Sequence, residues 1–111
     1  MSKRKKTLAI DFDGTICKYQ KFGPITNEPN EGAKEIITQL KEAGWIIIVH
    51  TCRAKKEFED YQKSIDDIRD WMDHHSIPFD EITASTPIAT AYIDARGIRF
   101  TNWQDIKNYF L

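Results

Sequence analysis

The sequence predicts an α/β fold in which helices cover a parallel β-sheet. Short apolar segments with strand character alternate along the 111-residue chain with segments whose apolar residues recur at helical spacing. Strands and helices that alternate in this way form parallel sheets through right-handed crossovers. One apolar, β-branched run, residues 45–51, is typical of a strand that is covered on both faces. We therefore expect a three-layer, Rossmann-like sheet.

The composition is that of one packed domain over residues 1–111, with a short basic tail at residues 1–6. Hydrophobic residues make up 41% of the chain and charged residues 30%, which supports a packed core and argues against disorder. The net charge of −1 argues against a general nucleic-acid binder, which carries a large positive surplus.

The longest apolar run, residues 45–49, is too short to cross a bilayer, so no membrane partner is expected. The two cysteines cannot form a disulfide scaffold, and we expect a cytoplasmic protein with free thiols.

Four segments have strand character, and two of them end in an acidic residue. Strands are expected at Thr7 to Phe12, Trp45 to Thr51, Glu81 to Ala84 and Ala91 to Asp94, and residues 98–100 form a further brief extended stretch. Ligands of parallel sheets bind beyond the carboxyl ends of the strands. Asp11, Thr51 and Asp94 all lie at such ends, so the sequence predicts that they converge on one cleft.

Three helices are expected between and after these strands. Asn30 is the expected N-cap of the first helix, and Gly44 lies where that helix should stop. Thr101 or Asn102 is expected to cap the third helix. The predicted buried faces are Ala33, Ile36, Ile37, Leu40 and Ala43 in the first helix, Phe58, Tyr61, Ile65, Ile68, Trp71 and Met72 in the second, and Trp103, Ile106, Tyr109 and Phe110 in the third.

The segment Asp11-Phe12-Asp13-Gly14-Thr15 carries the clearest chemical signal. Two residues apart on extended backbone, Asp11 and Asp13 project to the same side, and Gly14 permits a sharp exit from the strand. With Asp94 at the same cleft, three carboxylates within about 4 Å of one another would repel by roughly 4 kcal/mol per pair at an effective dielectric of about 20. Either one carboxyl stays protonated or a hard cation lies among them. Carboxylates, carbonyl groups and waters suit Mg²⁺ best.

The same segment resembles the opening motif of the haloacid dehalogenase (HAD) superfamily of phosphohydrolases. Residues 46–51, an apolar strand ending in Thr51, are similar to the second motif of that superfamily, and residues 91–94 are similar to its last motif. The resemblance covers residues 7–106 and implies a HAD-type domain. No long insertion separates the expected elements, so the chain is similar to the members that have no cap domain.

The resemblance implies a role for each residue of these motifs. Asp11 would attack phosphorus as the nucleophile and form an aspartyl-phosphate, and Asp13 would act as general acid and base. Asp94 would bind Mg²⁺ together with the carboxylate of Asp11 and the carbonyl of Asp13. Thr51 would hold a phosphoryl oxygen. The substrate-binding residues implied in this way are Gly14, Thr15, Thr51, Cys52 and Arg53.

The sequence departs from the superfamily pattern at two positions. Thr86 precedes a proline where the superfamily has a Lys, and Ala95 follows Asp94 where a second Asp is common. Loss of one charge-assisted hydrogen bond costs about 1.5–3 kcal/mol, or roughly ten- to 150-fold in rate. The pattern leaves open a weak phosphatase and a weakened relative that binds phosphate or a partner without turnover. Three arginines could supply the missing charge: Arg53, Arg96 and Arg99.

A site without a cap excludes water poorly and selects weakly among small substrates. The substrate is therefore expected to be a phosphate displayed by a larger molecule, unless a neighbouring copy of the chain, in a homo-oligomer, serves as a lid. The basic head, Lys3 to Lys6, is expected to be a solvated tail, with recruitment of a polynucleotide end as substrate as the alternative.

Overall fold

The structure is a computed structural model that describes residues 6–20, 24–52, 61–84, 89, 91–93 and 101–111. These residues form four strands and three helices. In chain order they are β1 (Thr7–Asp11), α1 (Ala33–Glu42), β2 (Ile46–His50), α2 (Tyr61–His74), β3 (Glu81–Thr83), β4 (Ala91–Ile93) and α3 (Trp103–Phe110). The predicted extended stretch at residues 98–100 and the tail at residues 1–5 lie outside the described residues.

The four strands form one sheet in the order β3-β2-β1-β4, and every neighbouring pair is parallel. Strand β1 is central, with Asp11 in register with His50 of β2 and Ile10 in register with Ile93 of β4. From β1 the chain adds β2 and β3 on one side and then returns to add β4 on the other. The strand order therefore reverses between β1 and β4, which is where open α/β sheets bind their ligands.

One face of the sheet carries the main hydrophobic core. Because side chains alternate between faces along a strand, Leu8 and Ile10 share a face with their register partners Ile47 and Val49. All three helices contribute to the core cluster that contains these side chains, through Ala33, Ile36, Ile37, Leu40, Ile65, Ile68, Trp71, Met72, Trp103 and Ile106. The periodicity of apolar residues thus predicted the buried face of each helix correctly at these positions. Ala43, also expected on the buried face of the first helix, is exposed, and Phe58 lies outside the described residues.

The opposite face of the sheet is also buried at its centre, where Ala9 and Ile48 are almost inaccessible to solvent. Burial of both faces explains why β2 is continuously apolar rather than alternating. The chain therefore has the predicted α/β, Rossmann-like fold, in an arrangement consistent with three layers. No cap domain is present among the residues that the structure describes. None of the described helices is long and apolar enough to cross a membrane.

Helix α1 ends at Glu42, and the glycine that the sequence predicts as its stop, Gly44, lies two residues beyond. The N–H of Gly44 donates to the carbonyl of Lys41, and the N–H of Trp45 donates to the carbonyl of Leu40, each at 3.0 Å. Gly44 has a φ of +95°, the left-handed conformation that this pair of hydrogen bonds requires. The chain then enters β2 directly.

The start of α1 differs from the prediction, because Asn30 is not its N-cap. The N-cap is Gly32, with a φ of 87° and no side-chain hydrogen bond to the first turn. The backbone carbonyl of Asn30 accepts from the N–H of Ala33 at 3.1 Å. The side-chain NH₂ group of Asn30 instead donates to carbonyls of the loop that follows β1. An N-cap side chain would accept a hydrogen bond through its oxygen.

Helix α3 begins as predicted, with Asn102 as its N-cap. The Asn102 side chain accepts from the N–H of Asp105 at 2.9 Å. Tyr109 was expected in the core, but it is 67% exposed. Trp103, Ile106 and Phe110 follow one another at three- and four-residue spacing on the packed face, and Tyr109 falls beside that stripe.

Candidate functional site

The carboxyl edge of the sheet is built from the ends of β1 and β2. Asp11 is the last residue of β1 and lies in register with His50. The ladder continues for one more residue, because the N–H of Phe12 donates to the carbonyl of His50 at 3.0 Å. On the other side of β2, the N–H of Thr51 donates to the carbonyl of Thr83 at 3.0 Å. Asp11 and Thr51 therefore lie at one edge on adjacent strands.

A tight turn at residues 12–17, which we call the β1 turn, follows this edge. The carbonyl of Phe12 accepts from the N–H groups of Thr15, Ile16 and Cys17 at 3.0–3.3 Å. Gly14 has a φ of +81°, and its N–H donates to the carbonyl of Cys17 at 2.8 Å. The turn contains Asp13 two residues beyond Asp11, so both carboxylates belong to the exit of the central strand.

The predicted site residues differ in exposure. Asp11, Asp13 and Gly14 are half-buried, and Cys52 is exposed. The side chains of Thr15 and Thr51 are buried, at 4% and 1% exposure. The open part of the edge is therefore lined by Asp11, Asp13 and Gly14. Several residues named in the sequence predictions lie outside the described residues: Arg53, Thr86, Asp94, Ala95, Arg96 and Arg99.

A hairpin-like loop at residues 18–29 follows the β1 turn, with residues 21–23 outside the described part. The N–H of Lys18 donates to the carbonyl of Glu28 at 3.0 Å, which closes its base. The side chain of Gln20 accepts from the N–H groups of Thr26 and Asn27 and donates to the carbonyl of Pro24, all at 2.8–3.1 Å. Side-chain hydrogen bonds therefore fix this loop locally.

Tyr19, at the start of this loop, is a residue that the sequence analysis did not single out. It is 75% exposed. A Cβ built on Gly14 would lie 3.8 Å from the Cβ of Tyr19 and 3.9 Å from its ring carbon Cδ2. The ring thus borders the β1 turn. The only sequence signal for this position is an aromatic residue shortly after the acidic segment.

Asn30 and Trp103 are two further contacts of the β1 turn that sequence reasoning missed. The Nδ2 of Asn30 donates to the carbonyl of Thr15 at 2.9 Å, and the Nε1 of Trp103 donates to the same carbonyl at 3.1 Å. The sequence pattern predicts helix capping for Asn30 and burial in the apolar core for Trp103. Neither assignment reveals where the polar end of the side chain goes.

The acids of the described segments do not form a complete metal site by themselves. Among the described residues, no group of three or more His, Cys, Asp or Glu side chains is placed to hold a metal ion. The expected third acid, Asp94, is not among those residues. Asp11 and Asp13 provide hard oxygen donors, which suit Mg²⁺ better than soft metals.

The chain is similar in fold to two solved structures. It superposes on a target protein from Vibrio cholerae with a TM-score of 0.62 and 24% identity, covering 92% of this chain and 87% of that one. It superposes on a conserved protein from Bacteroides thetaiotaomicron with a TM-score of 0.65 and 22% identity, covering 95% and 88% of the two chains. No protein-family model and no curated protein matches the chain. At these identities the similarity supports the α/β fold alone.

Proposed function

We propose that the chain is a Mg²⁺-dependent phosphomonoester hydrolase that works through an aspartyl-phosphate on Asp11. The observation that carries this proposal is the location of Asp11 and Asp13 at the carboxyl end of the central strand, beside the point where strand order reverses. The resemblance of residues 11–15 to the opening motif of the HAD superfamily supports the same chemistry.

The oxygen donors at this edge fit Mg²⁺, with Asp11 offering its carboxylate and Asp13 its carbonyl. Asp94 follows Ile93, and Ile93 is in register with Ile10, the residue before Asp11. This register supports Asp94 as the third protein ligand of the ion. When bound, Mg²⁺ would neutralise charge on the phosphoryl group during transfer.

In the first half of the proposed reaction, a carboxylate oxygen of Asp11 attacks phosphorus while the bond from phosphorus to the ester oxygen breaks. Asp13, protonated at this stage, donates its proton to the leaving oxygen, which departs as an alcohol. The candidate ligands for the phosphoryl oxygens are Gly14, Thr15, Thr51, Cys52 and Arg53.

In the second half, the carboxylate of Asp13 accepts a proton from a water molecule, whose oxygen attacks the phosphorus of the aspartyl-phosphate. The bond from phosphorus to Asp11 breaks and inorganic phosphate leaves. Asp11 is again a carboxylate, and Asp13 is again protonated. The two acids therefore need different protonation states at the start of each turnover.

The test is release of phosphate from an aryl phosphate with and without Mg²⁺. We expect Asp11→Asn to abolish turnover, because an amide cannot form the aspartyl-phosphate, and Asp13→Asn to lower kcat by about 10²–10⁴-fold. Asp73→Asn removes an exposed carboxylate of α2 and serves as the control. Full activity in Asp11→Asn would overturn the assignment of the nucleophile.

A second candidate function is binding of phosphate or of a partner without turnover, and Thr86 and Ala95 favour it. In this case the double variant Thr86→Lys with Ala95→Asp should create or raise turnover, by roughly ten- to 150-fold for each charged group that it restores at a superfamily position. The comparison is the initial rate of the double variant against wild type at equal Mg²⁺. A high wild-type rate that the double variant leaves unchanged would exclude this candidate.

The proposed enzyme acts in the cytoplasm on a phosphorylated substrate rather than at a membrane. With no cap among the described residues, we expect the phosphate to be displayed by a large molecule or the site to be covered by a second copy of the chain. The net charge of −1 gives no general attraction for nucleic acid.

A further inference from the structure

We infer that Asn30 and Trp103 are positioning residues that hold the β1 turn and thereby aim Asp13, an inference that rests on the proposed function. Their side-chain N–H groups donate to one backbone atom, the carbonyl oxygen of Thr15, at 2.9 Å and 3.1 Å. One donor comes from the approach to α1 and the other from α3, which is 88 residues away along the chain. A single carbonyl is therefore fixed from two directions.

Asn30 holds more than this one atom. Its N–H donates to the carbonyl of Ile16 at 2.8 Å, and its Nδ2 also lies 3.4 Å from the carbonyl oxygen of Gly14. Three successive carbonyls of the β1 turn, those of Gly14, Thr15 and Ile16, are thus in contact with one asparagine. Such a set of contacts restrains the orientation of the turn as well as its distance from α1.

Trp103 is held firmly enough to serve as the second restraint. It is 1% exposed and belongs to the main core cluster. A Cβ built on Gly32 would lie only 3.1 Å from the Cβ of Trp103, so the glycine at the start of α1 allows α3 to approach closely. Packing of these two helices therefore sets the position of the indole N–H.

The consequence for the proposed reaction concerns Asp13, because Asp13 lies in this turn and Asp11 lies in the strand before it. A change in the turn would move the proton donor relative to the nucleophile. Misplacement of a catalytic group by about 1 Å costs roughly 10²-fold in rate. We expect kcat to fall because Asp13 acts in proton transfer, and KM to rise because Gly14 and Thr15, the proposed phosphate ligands, lie in the same turn.

The test uses Trp103→Phe and Asn30→Ala, each with a matched control variant whose lost hydrogen bond is made to the hairpin-like loop. Trp71 is also a buried indole whose Nε1 donates to a backbone carbonyl, that of Asn27, at 3.0 Å. The Nδ2 of Asn27 contacts two successive carbonyls at 2.9 Å and 3.4 Å, the same distances as for Asn30. Trp71→Phe and Asn27→Ala therefore remove equivalent hydrogen bonds, none of which is made to a carbonyl of the β1 turn. The ring of Trp71 also packs edge-to-face on Phe12 at 5.1 Å, and phenylalanine keeps an aromatic ring at that position.

We expect Trp103→Phe and Asn30→Ala to lower kcat for an aryl phosphate at saturating Mg²⁺ by about 10²-fold, with a smaller rise in KM. The controls should keep kcat within about threefold of wild type, since a hydrogen bond lost outside the β1 turn does not move Asp13. Equal losses of kcat in the two pairs would overturn the inference, because they would show a general effect on folding.

Amide hydrogen exchange supplies a readout that needs no turnover. Trp103→Phe and Asn30→Ala should speed exchange at the N–H groups of residues 14–17, and the controls should not. Unchanged protection there in both variants would overturn the positioning role even if activity falls. Wild-type protein without turnover would overturn the proposed function, and the exchange data would still decide whether Asn30 and Trp103 fix the turn.

Discussion

At the scale of single residues, the two acids of the candidate site are held by different kinds of structure. Asp11 belongs to a strand and is fixed by the parallel ladder with β2. Asp13 belongs to a turn whose backbone depends on the left-handed conformation of Gly14. The nucleophile of the proposed reaction is thus placed by the sheet, and the proton donor is placed by the turn.

Gly14→Ala tests how much of the site depends on this turn. We expect a loss of about 1–2 kcal/mol in the free energy of unfolding, the cost of a left-handed conformation at a residue with a Cβ. The new Cβ would meet its nearest neighbours at 3.8 Å and 3.9 Å, so crowding adds little. Urea denaturation followed by circular dichroism measures the change.

Gly44→Ala is the matched control, because Gly44 has a φ of +95° and no atom within 4 Å of a built Cβ. Both variants should lose similar stability, but only Gly14→Ala should lower phosphatase activity. Equal phosphatase activity in the two variants would show that the proposed reaction does not depend on the conformation of the β1 turn.

At the scale of elements, the carboxylate of Asp80 connects α1, β2 and β3 at the amino end of the sheet. The side chain of Asp80, just before β3, accepts from the Nζ of Lys41 at 2.6 Å and from the N–H of Ile47 at 2.7 Å. The N–H of Asp80 donates back to the carbonyl of Ile47 at 2.8 Å. The last turn of α1, the start of β2 and the start of β3 therefore meet at this residue.

The two partners of Asp80 should contribute unequally to stability. Lys41→Ala removes a partly exposed ion pair and should cost about 0–1 kcal/mol. Asp80→Ala also leaves the N–H of Ile47 without its acceptor and should cost about 1–3 kcal/mol. Chemical denaturation of both variants at low and high salt measures the difference. A larger loss in Lys41→Ala than in Asp80→Ala would show that the ion pair, and not the backbone contact, holds this corner.

At the scale of the whole molecule, stability should depend on pH through His75, which follows α2 and packs against Trp71 with ring centroids 4.5 Å apart. Partial burial and, secondly, the neighbouring His74 lower the pKa of His75 below its ordinary 6.5, and Glu28 opposes them. The folded state then binds fewer protons than the unfolded state as pH falls below about 6.5. The free energy of unfolding should therefore decrease over that window and level off below the folded pKa.

His75→Gln should remove this part of the pH dependence. The measurement is the urea midpoint of wild type and variant at several pH values from 7.5 down to about 5, where the wild type should fall more steeply. Parallel curves would show that His75 titrates at the same pH in the folded and unfolded chain.

The fold was largely predictable because it depends on local patterns. The apolar run of β2, the helical spacing of the buried residues and the glycine after α1 each act over a few residues, and the observed elements agree with them. The residues 11–15 were also visible as a chemical motif. Tyr109 was misjudged because the edge of a helical stripe depends on what packs against it.

The amino-acid sequence by itself determined which segments become strands and helices, and that two acids follow the first strand, because both are set by residues close together in the chain. Only the tertiary structure decided the strand order that puts β4 beside β1, and the convergence of Asn30 and Trp103 on the carbonyl of Thr15. The physical reason is that the spacing of apolar residues along the chain predicts which side chains are buried. The hydrogen-bond partner of a polar side-chain atom is instead set by a residue far away in the chain, 15 positions from Asn30 and 88 positions from Trp103.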